Sequence, residues 1–210
     1  MEGGEGSGKS TQVRSLARRI QKRNVPVTTV REPGGTPLGN RLRRLLKFST
    51  VSLTPEAELL LFNASRSQLV TDVMRPALDR GEVVLCDRFT DSTLAYQGFG
   101  RGIATDSVEA VNNLATGGLV PDLTIFLDLS PEEGMGRRST TRDRFEQGFE
   151  KKDVTDFHQM VRKGYLELAG KEPQRWLTID ASLSSRQVTR LIWQRVEPLM
   201  ESMRLANKAP

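Results

Sequence analysis

The chain has 210 residues, with 31 Lys and Arg against 26 Asp and Glu, a net charge of +5 and one cysteine. That length suits a single compact core and argues against a second full domain, because domains run to roughly 100–200 residues. One cysteine, Cys86 in an apolar run, excludes an internal disulfide and suits a reducing compartment, and no signal-like segment or long apolar span is present, so a soluble cytoplasmic protein away from membranes is expected.

In chain order, the first feature is Gly3-Gly4-Glu5-Gly6-Ser7-Gly8-Lys9-Ser10-Thr11, which matches G-x-x-x-x-G-K-[ST] from Gly3 to Ser10. The glycines let the backbone turn its N–H groups inward, and the following helix adds its positive end. Lys9 supplies a mobile cation and Ser10 a hydroxyl that can ligate Mg²⁺. A merely glycine-rich turn leaves the Lys9-Ser10 pair unexplained, so a nucleoside triphosphate is the expected ligand. Ser10 to Asn24 has helical apolar spacing at Val13, Leu16, Ala17 and Ile20, and Val27 to Val30 reads as a strand that runs into a Pro33-Gly34-Gly35 turn. Leu38 to Phe48 is helical again. From Pro55, capped by Thr54, a long helix runs towards Arg80, with Gly81 as its stop and a kink expected at Pro76. Strands follow at Val83 to Cys86 and Leu123 to Leu129, the latter ended by a Ser130-Pro131 cap. A helix from about Val154 to Leu168, a strand from Trp176 to Ile179 and a helix from Ser184 to Met200 complete the pattern. Alternating α and β elements with apolar strands predict an α/β fold, a parallel sheet covered on both faces.

In such sheets chemistry gathers beyond the carboxyl ends of the strands. Three strands end in charge: Arg31-Glu32, Asp87-Arg88 and Asp180. Each alone reads as a solvated strand end, but beside a phosphate cradle they form one candidate site. Asp87 has the chemistry to order Mg²⁺, and Arg88 to hold a second phosphate through a bidentate fork. That pairing points to phosphoryl transfer between two bound phosphates rather than hydrolysis. Phe62 and Arg66 lie four residues apart on one helix face and suit a ring and a guanidinium acting on one ligand, although a core Phe beside a snorkelling Arg fits better when that helix is read alone.

Three further stretches carry a family resemblance: Arg31-Glu32-Pro33-Gly34-Gly35-Thr36, Leu61-Phe62-Asn63-Ala64-Ser65-Arg66, and Asp87-Arg88-Phe89-Thr90-Asp91-Ser92-Thr93-Leu94-Ala95-Tyr96-Gln97-Gly98. In this order and spacing they resemble the successive signatures of thymidylate kinases, over nearly the whole chain. The resemblance implies a P-loop NTPase-type three-layer α/β/α fold with a five-stranded parallel sheet, and transfer of the γ-phosphoryl group of ATP to dTMP, with Mg²⁺, in a homodimer. It places Gly3 to Thr11 around the ATP phosphates, and Lys9 and Arg88 with Asp87 at the reaction centre. Glu5 and Glu32 would face the acceptor sugar. Arg43 and Arg88 would clamp the dTMP phosphate, Phe62 would stack on thymine, Arg66 would donate to its O4, and Ser92 and Gln97 would line the base and sugar pocket. Of three neighbouring arginines only Arg43 matches the family position, which leaves Arg41 and Arg44 on a solvated face. Some family members carry a catalytic arginine where this chain has Gly6. The chain therefore resembles the bacterial type, in which a mobile lid supplies that cation, here at about 137–151, with Arg138, Arg142 and Arg144 as candidates. Thr178 to Ser182 resembles the segment that holds adenine through backbone groups.

His158 lies in an amphipathic helix without a partner motif and reads as structural. A regulatory GTPase switch would need an Asn-Lys-x-Asp motif, and a nucleic-acid module would need clustered Lys and Arg; neither occurs, so no nucleic-acid partner is expected. The nearest rival is a kinase of another monophosphate. Finally, a P-loop normally follows a buried strand, yet only Met1 and Glu2 precede Gly3. Two arrangements are expected to compete: a sequence that begins too late, lacking most of its first strand, or a stub strand at Met1 and Glu2 whose gap is filled by side chains or water.

Overall fold

The computed structural model describes residues 1–48, 52–137 and 151–206. The lid candidates Arg138, Arg142 and Arg144 lie outside the described residues. The strands are β1 (Glu2–Gly3), β2 (Val27–Arg31), β3 (Val83–Asp87), β4 (Thr124–Asp128) and β5 (Trp176–Asp180). All ladders are parallel, in two hydrogen-bonded sets ordered β1-β4-β5 and β2-β3. Met1 joins the sets: its ammonium donates to the Cys86 carbonyl at 2.9 Å, and its own carbonyl accepts from the Arg88 N–H at 3.0 Å.

Two helical layers cover the strands, and β4 shows why. Ile125 and Leu127 pack with Leu16 and Ile20 of α1 (Lys9–Gln21) and with Ile192 and Trp193 of α9 (Ser185–Ala206). Phe126, one residue out of phase, packs on the other face. Its partners there include Leu59 of α3 (Pro55–Leu69), Val108 of α6 (Thr105–Thr116), and Val161 and Tyr165 of α8 (Lys151–Lys171). A strand apolar on both faces must lie in the middle of a three-layer stack.

The remaining helices are α2 (Pro37–Phe48), α4 (Arg75–Asp79), α5 (Thr90–Thr93) and α7 (Pro131–Gly136). Thr54 caps α3 through its hydroxyl, which accepts from the Ala57 N–H at 3.2 Å, with Pro55 in the first turn. The kink expected at Pro76 takes the form of a π-helical turn, Val70–Met74, just ahead of it. Widening the turn is one way a helix accommodates a residue that cannot donate to the carbonyl four places back. A second π-helical segment, Leu94–Gly100, and α6 had no counterpart among the expected elements.

β1 is two residues long, Glu2 and Gly3 rather than Met1 and Glu2, and pairs with Phe126 and Leu127 of β4. Below it an apolar cavity of about 460 Å³ separates β3 from β4. Val83, Val84, Leu85 and Cys86 all line it. Their side chains alternate between faces, so the cavity meets β3 along its edge. Leu123, Thr124 and Ile125 line the opposite wall, while Leu16 and Met74 come from the two covering layers.

Candidate active site

The carboxyl ends of β1, β2 and β3 converge on a second cavity, of about 390 Å³. Its lining runs from Gly8, Lys9 and Ser10 through Asp87 and Arg88 to Phe62 and Gln97. Gly6 has φ +69°, and a Cβ there would stand 2.3 Å from the Gly134 carbonyl oxygen of α7. No side chain fits at that position, so the P-loop cannot itself carry the extra arginine.

Lys9 is folded back on its own loop, donating to the carbonyls of Gly3 at 2.9 Å and Gly4 at 2.6 Å. Burial, and then the charge of Arg88, pull its pKa down to about 8. The Ser10 hydroxyl donates to the Asp87 carboxylate across the mouth of the cradle. Mg²⁺ takes oxygen ligands, commonly one or two protein groups with substrate phosphates completing the shell. Ser10 and Asp87 fit that requirement.

Arg88 is held from several sides. It has a left-handed backbone, φ +71°. Its Nη2 donates to Glu5 at 2.7 Å and to the Tyr96 hydroxyl at 3.1 Å, and its guanidinium lies 4.9 Å from the Tyr96 ring centre. Nη1 donates to the hydroxyls of Ser92 and Tyr165, each at 3.3 Å. On the β2 side, Arg43 is half-buried, lines the cavity and donates to the Pro33 carbonyl at 2.9 Å. Arg41 and Arg44 are exposed.

Arg66 lines the cavity and is turned inward to the protein. It is 1 % exposed, and its five N–H groups face protein acceptors: Glu32, the Asn63 and Asn112 side-chain carbonyls, and the Phe89 carbonyl. Glu32 keeps one buried oxygen, Oε1, without a hydrogen bond, and burial raises its pKa against the pull of Arg66. Phe62 and Gln97 line the same end of the cavity, and Gln97 Nε2 donates to Glu58 at 2.8 Å. Glu32, Ser92, Thr93 and Tyr96 complete this end. His158 is buried, edge-on to Tyr96 and Phe157.

Several groups here had no assigned role in the sequence reading: Glu2, Glu58, Tyr96, Arg101 and Tyr165. Tyr96 stood inside a quoted motif, which was its only signal. Arg137, at the edge of the described residues, donates to the Ala181 carbonyl at 2.8 Å and so ties α7 to the segment after β5.

A phosphate cradle at a helix N-terminus, facing a second cationic pocket one cavity-width away, defines a P-loop phosphotransferase with two phosphorylated ligands. Comparison with known proteins narrows this class. The family model described as thymidylate kinase matches residues 1–192. The chain is 50 % identical to the thymidylate kinase of Dehalococcoides mccartyi over 202 residues, 95 % of each chain. It is 48 % identical to that of Deinococcus radiodurans over 198 residues, 93 % of this chain and 94 % of the other. The crystal structure of thymidylate kinase from Ehrlichia chaffeensis superposes with a TM-score of 0.72 at 32 % identity, covering 94 % of this chain and 95 % of that one. The chain belongs to the thymidylate kinase family, nucleoside monophosphate kinases that transfer a phosphoryl group from ATP to dTMP.

Proposed function

We propose that the 390 Å³ cavity seats both substrates of this reaction, with the ATP phosphates over Gly3 to Thr11 and dTMP between Arg88 and Phe62. The observation that supports it most is Arg88, a cation fixed by Glu5, Tyr96, Ser92 and Tyr165 opposite the P-loop. In this reading Arg88 and Arg43 hold the acceptor phosphate, Phe62 stacks on the base and Gln97 reads its edge. Glu5 holds Arg88 and borders the sugar with Glu32. Arg66 braces this wall through Glu32. Ser10 and Asp87 would hold Mg²⁺, which when bound neutralises charge on the phosphate oxygens. Lys9 shares that task, since the transferring group carries its charge on equatorial oxygens. A lid at about 137–151, with Arg138, Arg142 or Arg144, supplies a further cation, consistent with the closed approach at Gly6.

Residues 1–210 act as one kinase domain in the cytoplasm, without nucleic acid, as a homodimer. Among the described residues no helix is long and apolar enough to cross a membrane. Exposed Leu38 and Phe48 on α2, Leu60 on α3 and Leu114 on α6 support a face for a second copy.

The test is coupled ADP release with dTMP, dUMP, dCMP, GMP and AMP in turn, with Mg²⁺ and with excess chelator. Turnover with dTMP well above the purine monophosphates and dCMP, lost on chelation, is expected. Equal turnover with any of these would remove the base-reading roles of Phe62 and Gln97.

A further inference from the structure

Glu2 is a carboxylate on β1, 1 % exposed and absent from the lining of the substrate cavity. Its bonds all lead to Arg88. Oε1 accepts from the N–H of Phe89 at 2.7 Å. The preceding N–H, that of Arg88 itself, is held by the Met1 carbonyl at 3.0 Å. Two consecutive N–H groups are thus anchored on Met1 and Glu2, at and just after Arg88, the residue that follows β3 with a left-handed backbone. A non-glycine residue is strained there and persists only when its surroundings impose it.

The second oxygen works on the side chain. Oε2 accepts from the hydroxyls of Ser92 and Tyr165, the latter at 2.9 Å. Each hydroxyl has a single proton. With both protons directed at Glu2, the lone pairs of Ser92 and Tyr165 are left to face Arg88 Nη1, 3.3 Å away in each case. Without the carboxylate, the two oxygens are close enough, 2.8 Å, to bond each other instead.

We propose that Glu2 is a positioning residue for the acceptor site, fixing the backbone of Arg88 directly and its guanidinium through the Ser92 and Tyr165 hydroxyls. This rests on Arg88 holding the acceptor phosphate. Buried groups that orient a ligand-holding side chain typically contribute 10- to 100-fold in affinity, a scale taken from metal sites.

The experiment is a double-mutant cycle of Glu2→Gln with Arg88→Ala, following KM for dTMP, KM for ATP and Tm. Glu2→Gln is expected to raise the dTMP KM about tenfold with the ATP KM unchanged, and to have no further effect once Arg88 is alanine. An equal effect in both backgrounds, or equal movement of both KM values, overturns the proposal while leaving Arg88 in the site. A silent Arg88→Ala removes the acceptor-site reading itself, and the proposal with it. If Glu2→Gln does not fold, Tyr165→Phe takes its place in the same cycle with the same three outcomes, because it removes one of the two hydroxyls that link Glu2 to Arg88.

Discussion

Two cavities of similar size lie on either side of β1, and they are held open by opposite means. The upper one, about 390 Å³, is walled by Lys9, Asp87, Arg88 and Glu5, with Lys9 bonded to its own loop, Asp87 to Ser10 and Arg88 to Glu5. The lower one, about 460 Å³, is walled by Val83, Leu85, Leu123 and Ile125, beside two strand edges that no third strand joins among the described residues. In the first the protein has already met the cost of desolvating charge, so a phosphate finds donors that need little reorganisation. In the second, apolar side chains line the space between β3 and β4. The comparison teaches that stability and activity are separable here: damage to the upper cavity should appear in kinetics, and filling the lower one in thermal stability.

The largest expected effect breaks the first half of that comparison if it fails. Removing one preorganised cationic donor costs about 10²–10³ in kcat, so Lys9→Met should lose activity on that scale. Its Tm should stay level or rise, because a pKa pulled from 10.5 to about 8 by burial marks a desolvated amine whose charge costs on the order of 3 kcal/mol. Activity assays and calorimetry on the same preparation check this. A Tm that falls with activity would make Lys9 a strut of its loop.

A smaller effect sharpens the second half. An apolar strand, Phe-Ile-Thr-Phe, joined ahead of Glu2 would run into the lower cavity between β3 and β4. Several new ladder bonds at about 0.5–1.5 kcal/mol each, set against roughly 1–2 kcal/mol per residue for ordering, plus apolar burial, leave about 2–3 kcal/mol. For a chain of this size that is a rise in Tm of about 5–10 °C, with kcat changed less than about twofold because the P-loop is left in place. An unchanged Tm would mean that the cavity closes by other means in solution.

Much of the upper cavity was legible in the sequence, and little of what supports it was. The cradle from Gly3 to Ser10 is a contiguous pattern, and Asp87-Arg88 ends an apolar run, so both could be read from local order. Arg43 could be separated from Arg41 and Arg44 because helical phase is also local. Arg66 could not be read fully. Its position on the face of Phe62 was visible, but Asn112, 46 residues on, and Glu32, 34 residues back, occupy donors that the motif left free. Glu2 and Tyr165 are 163 residues apart and carry no common period. The π-helical segments were missed for a related reason: Val70–Met74 and Leu94–Gly100 keep helical apolar spacing closely enough to pass for α-helix or to vanish inside a motif.

The last and smallest effect concerns protons. The Lys9 amine has a pKa of about 8, lowered first by burial and then by Arg88, against the opposite pull of Glu5 and Asp87. A polyphosphate beside it brings enough negative charge to restore the protonated form. Nucleotide binding should therefore take up a fraction of a proton near pH 8.5 and almost none at pH 6.5. Apparent affinity should fall above about pH 8, approaching tenfold per pH unit, or about 1.4 kcal/mol. Stability of the free protein should move the other way. Between about 8 and the ordinary 10.5, the unfolded chain holds the Lys9 proton more tightly than the folded one, so unfolding takes up protons and the Lys9 contribution to stability rises with pH across that window. Titration calorimetry in two buffers of different ionisation enthalpy reads the proton uptake directly, and Lys9→Met should abolish it. If wild type takes up no proton at pH 8.5, the amine is fully charged before the nucleotide arrives, and the upper cavity is less desolvated than its burial implies.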